Sequence, residues 1–181
     1  MLKFVFAILG AAIVIVLVAA LLKPDTFRIE RKILINAPPE KIFPYLNDFR
    51  KWTAWSPWER KDPAMQREYG SSTAGVGATY AWSGDRNVGV GNMEIAESAP
   101  SSHLLINLNF LKPMEAHNTA TFDLTPVAGG TEVAWSMDGR NNFPAKVFQV
   151  FMNMDKMVGP DFEAGLASLK SAAESDHGAQ P

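Results

Sequence analysis

A chain of 181 residues with 17 Lys and Arg against 19 Asp and Glu, net charge -2, lacks the basic excess that a nucleic-acid backbone demands of a partner. The absence of cysteine excludes disulfides and thiolate catalysis, and leaves an oxidising compartment tolerated but not implied. Beyond a long apolar N-terminal run, the remainder is too short for two ordinary domains and long enough to bury one core.

From Phe4 to Leu22 every residue is apolar or Gly, between Lys3 and Lys23. At about 1.5 Å per residue this run matches the ~30 Å hydrocarbon core of a bilayer. A cleaved secretory signal is the competing reading, but its apolar region is usually only about 7–15 residues. The one tolerable cleavage site, Val18-Ala19-Ala20, lies inside the run. The expected organisation is therefore a single-pass anchor in the cell membrane over residues 1–23, followed by one folded domain over residues 24–181. Lys3 and the free amine favour a cytoplasmic N-terminus, whereas Lys23, Arg28, Arg31 and Lys32 favour the reverse. Charges within a domain are the weaker topology signal, so the domain is read as facing outward.

Lys23-Pro24-Asp25-Thr26 is a linker in which Pro24 ends the membrane helix. Phe27, Ile29, Ile33 and Ile35 alternate with Arg28, Glu30 and Lys32, the period of a half-buried strand. Ala37-Pro38-Pro39-Glu40 opens a short helix with Ile42, Phe43, Leu46 and Phe49 on one face. Pro44 is expected to kink or shorten it. A second helical stretch or tight loop carries Trp52, Trp55 and Trp58.

Six strand signals follow, at about residues 65–69, 78–83, 88–97, 104–110, 118–125 and 131–138. Gly84-Asp85-Arg86-Asn87 and Ala128-Gly129-Gly130 have hairpin-turn chemistry, which makes the sheet antiparallel. A Phe- and Met-rich helix is expected over residues 143–158, interrupted at Gly159-Pro160-Asp161, with a new helix starting there. Phe162, Leu166, Leu169 and Ala173 mark the apolar face of that last helix. The residues from Ser175 onward are expected to fray.

Five blocks in this order carry a family resemblance. They are Ile35-Asn36-Ala37-Pro38-Pro39-Glu40-Lys41-Ile42-Phe43, Trp55-Ser56-Pro57-Trp58, Gly77-Ala78-Thr79-Tyr80-Ala81-Trp82-Ser83-Gly84, Thr131-Glu132-Val133-Ala134-Trp135-Ser136-Met137, and Asp155-Lys156-Met157-Val158-Gly159-Pro160-Asp161-Phe162-Glu163. The stretch from Phe27 to Glu174 resembles the START-like (SRPBCC) superfamily in its polyketide cyclase/dehydrase-like branch. The resemblance implies an α+β helix-grip fold: a seven-stranded antiparallel sheet wrapped on a long C-terminal helix, with a cavity between them. The superfamily includes cyclases, lipid and quinone carriers and hormone receptors, so the fold alone does not name a chemistry.

No catalytic signature stands out. His103, His117 and His177 are far apart and no cysteine supports them, so no metal and no cofactor are expected. No Gly-x-Ser-x-Gly elbow exists, and Gly89-Val90-Gly91 reads as a bulge or twist rather than a dinucleotide fingerprint. The aromatic set says more. Tyr80 and Trp82 share one strand face, and Trp135 and Met137 share another. With the cavity that the resemblance implies, Trp55, Trp58, Tyr80, Trp82, Trp135, Met137 and Phe151 are the expected ligand-lining residues. Against this stands plain core packing, which competes for each of them. Asn107, His117 and Arg140 are candidate polar helpers, although Asn107 alternates against Ile106 and Leu108 and so is expected to face solvent. Phe148, Phe151, Met152, Met154 and Met157 suit either a core helix or an adaptable lid over the pocket, in reach of the bilayer.

These features lead to a membrane-tethered binding module for a hydrophobic small molecule such as a lipid, quinone or polycycle. The alternative is a cyclase or dehydratase using a pocket acid or base, with Tyr80, His117 and Arg140 the candidates by residue type. A stress-related or assembly protein with a vestigial pocket is the third possibility.

Overall fold

A computed structural model describes residues 1–175; of the tail expected to fray, Ser175 ends the last helix, and residues 176–181, His177 among them, lie outside the described residues. Helix α1, Leu2–Leu21, is unbroken, long and apolar enough to cross a membrane. The chain then enters β1, Thr26–Ile35, and three short helical segments: α2, Pro39–Asn47; a 3-10 helix, Phe49–Ala54; and α3, Pro57–Lys61. Pro44 lies inside α2, which continues to Asn47.

Six further strands follow: β2, Gln66–Tyr69; β3, Thr79–Ser83; β4, Val90–Ala99; β5, His103–Lys112; β6, Ala116–Val127; and β7, Gly130–Arg140. The sheet order is β1-β7-β6-β5-β4-β3-β2, every pairing antiparallel. This is the helix-grip sheet that the family resemblance implies.

The Phe- and Met-rich segment breaks earlier than its Gly-Pro pair suggests. Helix α4 is Phe143–Phe151, and α5 runs from Met154 to Ser175 straight through Gly159 and Pro160. The break falls at Met152-Asn153, where the Asn153 side chain accepts the Lys156 N–H at 3.2 Å. Pro160 should weaken α5 where its ring removes a backbone donor. Arg31 holds the two sides in line. Its guanidinium meets Asp155 before the proline at 2.8 Å and Glu163 after it at 2.7 Å.

The strand registers divide the inner face of the sheet into transverse rows. Ile29, Met137, Ala120, Ile106 and Ile95 form one row, every member buried. Beside it lie Trp135, Phe122 and Leu104, also buried. Phe162 of α5 stacks on Trp135 with ring centres 4.0 Å apart and planes 7° from parallel. Trp55 meets Phe122 and Trp135 edge-on, and Phe49 joins Trp52 to Tyr80. Helix α5 thus closes the β1 side of the grip, and the segment from α2 to α3 closes the middle.

Candidate ligand-binding site

Burial along the inner face falls toward one end of the sheet. The row next to Ile29 and Met137 contains Phe27, Gly139, Asn118, Leu108, Met93 and Tyr80, each directly opposite its neighbour across the ladder. Phe27, Asn118 and Leu108 in this row are half-buried, as is Phe110 one step further out. Met154 and Val158 at the start of α5 are half-buried as well. The end of the sheet with this opening is also where α1 joins β1.

Glycine shapes the opening. A Cβ on Gly139 would stand 2.2 Å from Asn118 Oδ1 and 2.5 Å from the Phe27 ring. A Cβ on Gly91 would stand 2.4 Å from the Trp82 ring. Both glycines therefore let a neighbouring aromatic lie flat over the backbone, where any larger side chain would push it away.

One polar group in the row stands out. Asn118 Oδ1 is buried and has no hydrogen-bond partner, while its Nδ2 reaches only the Met137 sulfur at 3.8 Å. An unmet buried amide costs about 1–3 kcal/mol. Its site among half-buried apolar side chains makes it a natural hydrogen-bonding point for a bound molecule. Trp135 Nε1, deeper in the aromatic cluster, is also without a partner.

Trp55, Trp135 and Met137 are buried in the closed part of the grip, with Trp58 half-buried edge-on to Trp135 and Phe162. Trp82 lies beside the opening, 9% exposed, its Nε1 donating to the Val88 carbonyl at 3.0 Å and its ring edge-on to Phe110. Phe151 is 70% exposed at the end of α4. Asn118, Leu108, Phe110 and Phe27 were not singled out from the sequence. Period-two alternation set Leu108 against the outward Asn107, but nothing local marks which end of a strand is left open.

Tyr80 is committed elsewhere. Its hydroxyl donates to Glu59 Oε1 at 2.9 Å, and Arg67 holds the other carboxylate oxygen at 2.7 Å. Burial, followed by the Glu59 charge, pushes the Tyr80 phenol well above its ordinary range. A phenol so placed is a poor proton donor. His117 and Arg140 lie on the outer face with Asn107, in an open groove of about 680 Å³ that Phe27, Asn118 and Gly139 also line. His117 Nδ1 there donates to Asn109 Oδ1 at 2.7 Å.

Residues 26–174 match the family model described as polyketide cyclase / dehydrase and lipid transport. The chain belongs to this family. Membership gives it a ligand-binding fold of the START-like kind, one suited to a hydrophobic small molecule. No curated protein matches the chain in sequence. Among solved structures, a protein from Chromobacterium violaceum aligns with a TM-score of 0.59 and 16% identity, over 84% of this chain and 99% of its own. The di-domain ARO/CYC StfQ of the steffimycin biosynthetic pathway aligns at 0.60 and 10% identity, over 85% of this chain and 52% of its own. The Aha1 dimer from Colwellia psychrerythraea aligns at 0.53 and 21% identity, over 84% and 99%. At such identities these likenesses speak for the fold shared by the family and not for a substrate.

Proposed function

We infer that this family member is a membrane-tethered binding module for a lipid, quinone or polycyclic molecule. The ligand enters the grip where Phe27, Leu108 and Phe110 are half-buried. The observation that carries this reading is the unpartnered Asn118 amide oxygen set among apolar side chains at the open end of the inner face. An apolar recess with one or two oriented polar groups is the usual form of a small-molecule site. The family's description, which includes lipid transport, supports the ligand class. Helix α1, long and apolar enough to cross a membrane and leading directly into β1 beside the opening, supports the tether.

A cyclase needs an acid or base facing its substrate. Tyr80 is engaged with Glu59, and His117 and Arg140 sit on the opposite face of the sheet. Binding without catalysis is therefore the better supported reading. The test is binding of an environment-sensitive apolar fluorophore to the full chain in lipid nanodiscs, with mass spectrometry of co-purified small molecules. The expected result is saturable binding that Leu108→Trp abolishes by filling the opening. Saturable binding undiminished in that variant would move the site elsewhere, and no saturable binding would end the proposal.

A further inference from the structure

Helix α4 has no buried residue. Phe143, Phe148 and Phe151 are exposed along it, and Met152 follows directly. Its polar side chains are used against the domain. Lys146 pairs with Asp25, and Gln149 donates to Asn141 Oδ1 at 2.6 Å, while Asn141 donates to the Pro24 carbonyl at 3.0 Å. Helix α4 is thus fixed to the root of α1 by its polar face and shows its aromatic side chains to the outside. Such an arrangement is costly in water and characteristic of a helix lying in a membrane interface.

The packing of α1 gives the depth. Helix α1 packs on α4, and the covered side chains of α1 among the described residues are Val16, Ala19 and Ala20, on one face of its last turns. Val16 lies about 8 Å along the axis from Leu21 at 1.5 Å per residue. Amphipathic helices in membrane interfaces bury their apolar face about 5–10 Å deep. A helix packed beside Val16 to Ala20 cannot stay clear of a bilayer that α1 spans.

We propose that α4 is an interfacial helix, embedded through Phe143, Phe148 and Phe151 in the lipid surface beside α1, so that the open end of the grip faces the bilayer. The inference rests on α1 lying in the membrane, which is part of the reading above, but not on the identity of any ligand. It supplies that reading with a route: a lipid-soluble molecule would pass from the interface into the grip without crossing water.

The chain has no cysteine, so single sites can be labelled in the full-length protein. An environment-sensitive fluorophore is attached in turn at Phe151→Cys, at Val18→Cys on exposed α1, and at Val127→Cys in the far β6–β7 turn. Each protein is reconstituted into phosphatidylcholine–phosphatidylglycerol vesicles carrying nitroxide-labelled lipid near the headgroup. The label at 151 should be quenched roughly half as strongly as that at 18, or more, and the label at 127 should not be quenched. Quenching at 18 with none at 151 would overturn the interfacial helix while leaving the tether intact. Absence of quenching at both would overturn the inference together with the tether, leaving ligand binding to its own test. Disulfide-linked dimers of unlabelled Phe151→Cys without lipid quenching would overturn it in favour of a second copy of the chain as the partner of this face. Phe143→Cys, at the other end of α4, repeats the measurement should position 151 perturb folding.

Discussion

Arg31 crosses α5 at Gly159, where an added methyl group would stand 2.0 Å from the Arg31 Nη2. The missing side chain lets the guanidinium reach Asp155 on one side of Pro160 and Glu163 on the other. Arg31 shares the inner-face parity of Ile29 and Ile33, yet its charge leaves the core by this gap. Gly159→Ala should therefore have two opposed effects. It gains about 1 kcal/mol of helix propensity and forces Arg31 off at least one carboxylate, a solvent-screened pair that contributes little by itself. The net change in a urea melt should be under about 1 kcal/mol, and the coupling should show in a double-mutant cycle. Asp155→Asn should destabilise the wild-type background and have little effect beside Gly159→Ala. Equal effects in both backgrounds would mean that Arg31 keeps its grip on Asp155 by another path.

The same contact sets an acid limit. Hydrogen bonding to Arg31 lowers the Asp155 carboxyl below its ordinary value. A carboxylate depressed in the folded state contributes stability above its unfolded pKa of about 3.9, and that contribution is lost as pH falls through the folded value. Stability should decline below about pH 4, and Asp155→Asn should flatten that decline. Parallel acid profiles for the two proteins would remove Asp155 from the account.

Tyr80 sets the opposite limit. Its phenol is raised by burial and by Glu59, so the folded state keeps a proton that the unfolded chain releases near pH 10. Stability is then fully present below about pH 10 and falls as pH rises above it. Tyr80→Phe should cost about 1 kcal/mol at neutral pH through the lost hydrogen bond to Glu59 and should lessen the alkaline decline. Apolar probe binding should be unchanged, since the hydroxyl is already engaged with Glu59. A large loss of binding or of an activity in this variant would return Tyr80 to the site.

Helix α5 should be the element on which the sheet depends. Leu166 and Leu169 are 1% and 0% exposed against it. Each Leu→Ala should cost about 2–5 kcal/mol, and together they approach a total stability of about 5–15 kcal/mol. The double variant should be largely unfolded by circular dichroism. A melt within about 0.5 kcal/mol of wild type would contradict their burial.

Much of this architecture was legible in the residue pattern, for reasons that differ between elements. Strands β3 to β7 alternate cleanly because one face is buried and one wet, so period and turn residues place them within a residue or two. Phe162, Leu166 and Leu169 were legible because a long helix on a sheet must show an apolar stripe. The break between α4 and α5 was not, because Gly159-Pro160 looks like a stop in isolation. Packing of Gly159 and Phe162 on the core and the Arg31 clamp, both set by residues far away in the sequence, carry the helix across it. The opening was the least legible part. Trp55, Trp135 and Met137 have the same composition whether they line a cavity or fill a core, and the structure encloses them. Asn118, near the start of β6, carries no local mark, and its significance comes from lacking a partner after the sheet has formed.

That unmet oxygen yields the last prediction. Asn118→Leu keeps roughly the shape of the side chain and removes both polar ends. The wild-type amide carries a desolvation penalty of about 1–3 kcal/mol with only a weak sulfur contact in return. The empty protein should therefore gain stability or lose none, unlike most substitutions at covered positions. Binding should change in a ligand-dependent way. A long-chain alcohol able to donate its hydroxyl to Asn118 should weaken by about 1 kcal/mol, near fivefold, while an alkane-like probe of the same length should bind the variant as well or better. Measured side by side in nanodiscs, the two affinities separate a hydrogen-bonding point from a simple wall residue. Equal weakening of both ligands would indicate distortion of the opening, and no change in either would place the ligand away from Asn118.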